Sequence, residues 1–133
     1  SLPLEIRSEE LNIEQNTGRA TFSGNVIATQ GNLILTALTL VVEYALKNSR
    51  MTSEMEKLTA NKDVTIVSET QSAVANKMVY DVLFEKIIMT GDVILKEGLS
   101  ATSGDRLTIN LNTGSRRMEG NVRTLILSEE GDK

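Results

Sequence analysis

The chain has 133 residues, no His, Cys or Trp, and a formal net charge of −4 from 14 Lys+Arg against 18 Asp+Glu. These absences remove zinc and thiol chemistry, Ser-His-Asp catalysis and disulfides. The acidic balance argues against a nucleic-acid partner, which needs a basic stripe. Thr, Val and Ile together number 34, with nine Gly and one Pro, a bias that favours one all-β domain with its own core.

In chain order, Leu4 and Ile6 alternate on a short first strand. Leu11 to Glu14 then leads into Asn16-Thr17-Gly18, a hairpin loop closed by a glycine at positive φ. Phe22, Gly24, Val26 and Ala28 share one face of the next strand, and Leu40, Val42 and Tyr44 one face of the strand after it. Residues 45–57 carry Met51 and Met55 at i, i+4 spacing. A short helix and a long hairpin tip both fit them, and the strand context favours the tip. The alternation continues through Ala60, Val64 and Ile66, then Met78, Tyr80 and Val82. It runs on through Met89, Gly91, Val93 and Leu95, then Leu107, Ile109 and Leu111, and ends in Met118, Gly120, Val122 and Ile126. The intervening positions are largely polar, the habit of an antiparallel sheet with one buried and one wet face. All four aromatics, Phe22, Tyr44, Tyr80 and Phe84, fall in the inward phase. Residues 128–133 read as a polar, frayed tail.

A repeat underlies this order. Gly24-Asn25-Val26, Lys62-Asp63-Val64, Gly91-Asp92-Val93 and Gly120-Asn121-Val122 recur with 38, 29 and 29 residues between their valines. Fourteen residues after each of the first three valines comes Leu40, Met78 or Leu107, closing Ala37-Leu38-Thr39-Leu40, Ala75-Asn76-Lys77-Met78 and Gly104-Asp105-Arg106-Leu107. From Leu11, Met78 or Leu107 to the next valine is 15 residues, whereas Leu40 to Val64 is 24. The excess of nine is an insertion within residues 45–57. Asn112-Thr113-Gly114 repeats the first hairpin loop, while Leu83-Phe84-Glu85 stands there in the third copy and demands a different turn.

Chemistry has few carriers. Asp63, Asp92 and Asp105 recur at repeat positions, where an Asp or Asn is a turn device. There is no calcium loop or phosphate loop, and no cofactor is implied. Arg116, Arg117 and Lys96 offer positive charge to an anionic group, although isolated surface cations usually just solvate. No apolar run approaches the ~18 residues of a membrane span. Ser1-Leu2-Pro3-Leu4 has no basic leader region. Two sheets built on a 14–15-residue period can pack as a thin core or splay into an apolar groove.

Ala20-Thr21-Phe22-Ser23-Gly24-Asn25-Val26-Ile27-Ala28-Thr29-Gln30-Gly31 resembles the signature of the OstA-like family of lipopolysaccharide-transport proteins. Ile87 to Leu95, Met78-Val79-Tyr80 and Gly104-Asp105-Arg106-Leu107 are similar to further steps of that family, so the likeness covers about residues 3–127. Leu38-Thr39 stand where the family has Asp-Lys, and Lys62 where it has Gly. The resemblance implies an antiparallel β-jellyroll spanning residues 1–133, with two sheets opening into a V-shaped apolar groove. It implies no enzymatic activity. It further implies a periplasmic location after loss of an export signal, and lipopolysaccharide held by its lipid A acyl chains. Head-to-tail homo-oligomers and edge-strand pairing with LptC-like and LptD-like β-jellyroll domains also follow. The residues it makes candidates for the lipid-binding groove are Leu4, Ile6, Phe22, Val26, Leu40, Val42, Tyr44, Val64, Ile66, Tyr80, Val82, Met89, Val93, Leu107, Ile109 and Met118. Two alternatives share the same edge strands: the periplasmic domain of the related LptC component, and a self-associating β-scaffold without ligand. A carbohydrate-processing domain fits poorly, because sugar sites stack rings on aromatics and aromatics are 3% of this chain.

Overall fold

The β-branched surplus is spent on strands. A computed structural model describes residues 2–127, and every regular element in them is a strand. These are β1 (Glu5–Arg7), β2 (Glu10–Glu14), β3 (Arg19–Gln30), β4 (Leu33–Lys47), β5 (Arg50–Val67), β6 (Gln71–Asp81), β7 (Lys86–Glu97), β8 (Ser100–Asn110), β9 (Arg116–Glu119) and β10 (Arg123–Ile126). All pair antiparallel in one sheet of order β1-β3-β4-β5-β6-β7-β8-β10, with β2 also on β3 and β9 also on β8. The fold is the expected all-β jellyroll, and its two layers are the two arms of this single sheet.

The recurring Gly-Asn/Asp-Val motif makes the bend. Gly24 and Asn25 have φ of 86° and 45°, Lys62 and Asp63 67° and 50°, Gly91 and Asp92 86° and 48°, Gly120 and Asn121 83° and 49°. Each pair is a β-bulge opposite one residue of the neighbouring strand: the register skips between Ser23 and Val26, Asn61 and Val64, and Thr90 and Val93. The bulges therefore line up across the sheet and crease it. Asn and Asp suit the second place because they tolerate positive φ better than other residues with a Cβ. On the strands facing the bulges the buried face shifts by three residues, from Ala37 to Leu40, Ala75 to Met78 and Gly104 to Leu107. Along the crease Asn25 donates to Glu9 at 2.9 Å and Asn121 to Asp105 at 3.2 Å.

The core lies between the arms and is wholly apolar. Leu40, Val42, Val64, Met89, Val93 and Leu107 have no measurable exposure, and no polar or charged residue among those described is buried. Residues 45–57 form a hairpin tip, with Asn48 and Ser49 at φ 53° and 60°. The turn at Leu83-Phe84-Glu85 uses Glu85 at φ 53° in the place that Gly18 and Gly114 take at 70° and 78°.

Five residues assigned to the inward phase are exposed, one of them Gly120 in the last bulge. Phe84 is 72% exposed because it sits in the β6–β7 turn, where alternation defines no face. Val122 and Ile126 are exposed beside and on β10, the last strand of the sheet, which no further strand covers. Leu111 is half exposed just beyond the end of β8. The tail 128–133 lies outside the described residues.

Candidate functional site: an apolar cleft between the arms

Where the arms diverge from the crease they enclose a cleft of about 450 Å³, within the range of small-ligand sites. One arm contributes Leu4, Ala28, Leu35, Ile66, Ala73 and Leu95, and the other Met55, Leu58, Met78, Tyr80, Val82, Ile87, Met89, Ile109 and Leu111. The two lips differ. Gln30, Ser68, Gln71 and Ser72, at the turns β3–β4 and β5–β6, fringe one lip with amides and hydroxyls. Met55, Val82 and Leu111, at the opposite strand ends, make the other lip apolar. Arg116 of β9 forms an ion pair with Glu97 at the far end of β7, which ties the two arms together near the C-terminal edge.

Chemically the cleft offers area and little else. Each methylene buried in it is worth about 0.8 kcal/mol. The Tyr80 phenol is the only lining group with a displaced pKa: burial raises it above 10, helped by the negative charge of Glu85. It is thus a neutral donor at physiological pH. No group of His, Cys, Asp or Glu among the described residues could hold a metal ion. Nothing here positions a nucleophile beside a base.

Of the sixteen residues expected in the groove, six line the cleft: Leu4, Ile66, Tyr80, Val82, Met89 and Ile109. Val26, Leu40, Val42, Val64, Val93 and Leu107 are sealed in the core between the arms. Ile6, Phe22, Tyr44 and Met118 pack half-buried against that core. Strand alternation marks the inward face, and depth along the strand then separates core from cleft. Fourteen lining residues went unlisted, among them Leu35, Leu58, Ala73, Met78 and Ile87. Leu35 and Ala73 were legible from the three-residue step Ala37–Leu40 and its copy Ala75–Met78, which flips the inward parity of the strand, whereas Leu58 and Ile87 simply extend the alternation of Ala60 and Met89.

Comparison with known proteins decides the family. The model for "LptA/(LptD N-terminal domain) LPS transport protein" matches residues 5–115. The chain belongs to this family. Its members are described as LPS transport proteins. An uncharacterized protein of Rhizobium meliloti (strain 1021) is 26% identical over 121 residues, covering 88% of this chain. The chain spans 65% of the length of that relative. The crystal structure of LptH from Pseudomonas aeruginosa superposes with a TM-score of 0.82 over 96% of both chains, at 14% identity. LptH is described as the LptA-homologous periplasmic component of the lipopolysaccharide transport device. At that identity the match speaks for the jellyroll fold.

Proposed function

We propose that this protein is a periplasmic, lipopolysaccharide-binding bridge component. The cleft shelters lipid A acyl chains while the polar head stays in water at the mouth, and copies join head to tail with LptC-like and LptD-like domains as neighbours. The observation that carries this reading is the cleft itself: an apolar interior without catalytic groups, open along a mouth with one polar lip. The sheet edges support the assembly. β2 and β10 each lack a partner on one side and expose Leu11, Ile13, Leu125 and Ile126, which is an invitation to strand addition. The two edges are also complementary. The C-terminal edge carries the bulge Gly120-Asn121, and the N-terminal edge carries Glu9, the unbulged partner that already faces Gly24-Asn25 within the chain. A contact of unlike edges leaves a free edge at each end and so propagates.

The test is site-specific photo-crosslinking in a Gram-negative host. Crosslinkers at Ile66, Val82 and Leu111 should capture lipopolysaccharide, and crosslinkers on the outer face at Ile27 and Ile94 should not. Capture from the outer face alone would overturn the cleft as the site. A purified protein that polymerises yet never carries lipid in native mass spectrometry would favour the ligand-free scaffold.

A further inference from the structure

The nine-residue insertion builds a feature that the other repeats lack. β4 and β5 run past their neighbours: the last rung that the sheet shares with β6 is Lys57 against Asp81, and Val82 N–H donates to Glu56 O at 3.0 Å just beyond it. From there outward β4 and β5 pair with each other, through Tyr44–Met55, Leu46–Met51 and Lys47–Arg50, and the last backbone tie outside the hairpin is the Tyr44 N–H donating to Gly18 O at 2.7 Å. Between the first two rungs Ala45 on β4 stands against Thr52, Ser53 and Glu54 on β5. That excess bends the hairpin, and the Thr52 hydroxyl donates to Ala45 O at 2.7 Å to hold the bend. A straight extension would carry Met51 and Met55 away from the protein. Instead both pack half-buried against the hydrophobic core, and Met55 lines the cleft.

Building on the cleft as the lipid site, we propose that this overhang is a flap belonging to the binding site, with Met51 and Met55 covering the apolar part of a bound amphiphile. The flap extends only the apolar lip, and the amides and hydroxyls of Gln30, Gln71 and Ser72 fringe the other. An amphiphile therefore lies with its chain under the methionines and its polar group at the opposite lip. Methionine suits the task because its unbranched, polarizable side chain adapts to chains of varied shape.

The five methionines make the test possible in the unaltered protein. It is labelled with 13C-methyl methionine and titrated with n-alkyl maltosides of increasing chain length, followed by NMR. Met78 and Met89 report the cleft floor, Met51 and Met55 the flap, and Met118, which lies off the cleft, the background. Shifts at Met51 and Met55 together with Met78 and Met89 are expected. Shifts at Met78 and Met89 alone overturn the flap while keeping the cleft. Absence of any shift overturns the cleft reading and the flap with it. A second measurement uses Met51→Ala/Met55→Ala with calorimetry on the same series. In the unaltered protein each added methylene that reaches the cleft tightens binding by about fourfold. The variant should lose at least tenfold for the longest chain and almost nothing for the shortest. An unchanged series in a variant that unfolds at the same temperature would overturn the proposal.

Discussion

Arg116 and Glu97 meet across the mouth of the cleft. Their partners on β8 are Ile109 and Ser100 respectively, nine residues apart on one strand, a separation of ~30 Å if that strand were straight. The ion pair therefore exists only because the crease brings the two ends of the sheet together.

Because each side chain keeps about a third of its surface exposed, with 35% and 32% for Arg116 and Glu97, the pair is a modest latch. A double-mutant cycle of Arg116→Ala and Glu97→Ala should give a coupling of ~0.2–1 kcal/mol that shrinks in 1 M salt. Each single variant should also take up an apolar dye faster than the parent in stopped-flow measurements. An unchanged uptake rate would show that the pair does not hold the mouth.

The crease should be the position least tolerant of side chains. At Gly91, φ is +86° and an added Cβ would stand 2.7 Å from Asn76 Cβ. Gly91→Ala should cost about 2–3 kcal/mol of unfolding free energy in urea titrations. Lys62 occupies the equivalent site at φ 67°, so Lys62→Gly should recover ~0.5–1 kcal/mol, the relief of left-handed strain less the added freedom of the unfolded chain.

Stability and binding should separate with depth between the arms. Val93 is sealed in the core, so Val93→Ala should cost about 2 kcal/mol and leave alkyl maltoside affinity within twofold. Ile66 lines the cleft and is only half-buried. Ile66→Ala should weaken maltoside binding several-fold with less than ~1 kcal/mol lost in stability.

Alkaline pH should reveal the buried phenol. The pKa of Tyr80 is raised above 10 in the folded protein, by burial first and by Glu85 second. Between the unfolded value near 10 and the higher folded value, the native state holds the proton that the unfolded state has released. Stability is therefore complete below pH ~10 and falls as pH rises past it. Tyr80→Phe should flatten that decline in thermal melts and remove the late step from the phenolate absorbance titration.

Edge complementarity predicts a register for self-association. Leu11 pairs with Phe22 inside the chain, and Met118 holds the repeat position of Phe22. In a chain without native cysteine, Leu11→Cys and Met118→Cys on separate copies should give one clean disulfide heterodimer under mild oxidation. Ile13→Cys with Met118→Cys should give little, since the register would have to slip by two residues.

The repeat motif and its spacing already determined most of the architecture. Period-two alternation, the hairpin glycines and the recurring Gly-Asn/Asp-Val motif, at intervals of 38, 29 and 29 residues, specify antiparallel strands and most of their inward faces, because these are local properties of the backbone. The nine-residue excess in one loop was legible as well. Only the tertiary structure decided that the four motifs are bulges stacked on a single line, so that one sheet creases into two arms. That crease is what separates Val26, Val64 and Val93, at the vertex, from Ile66, Tyr80 and Val82, towards the mouth, although all six share the same alternation. Depth between two arms is a property of the fold and leaves no mark on the periodicity of a single strand. The inward bend of Met51 and Met55 and the meeting of Arg116 with Glu97 likewise depend on how far the sheet turns back on itself.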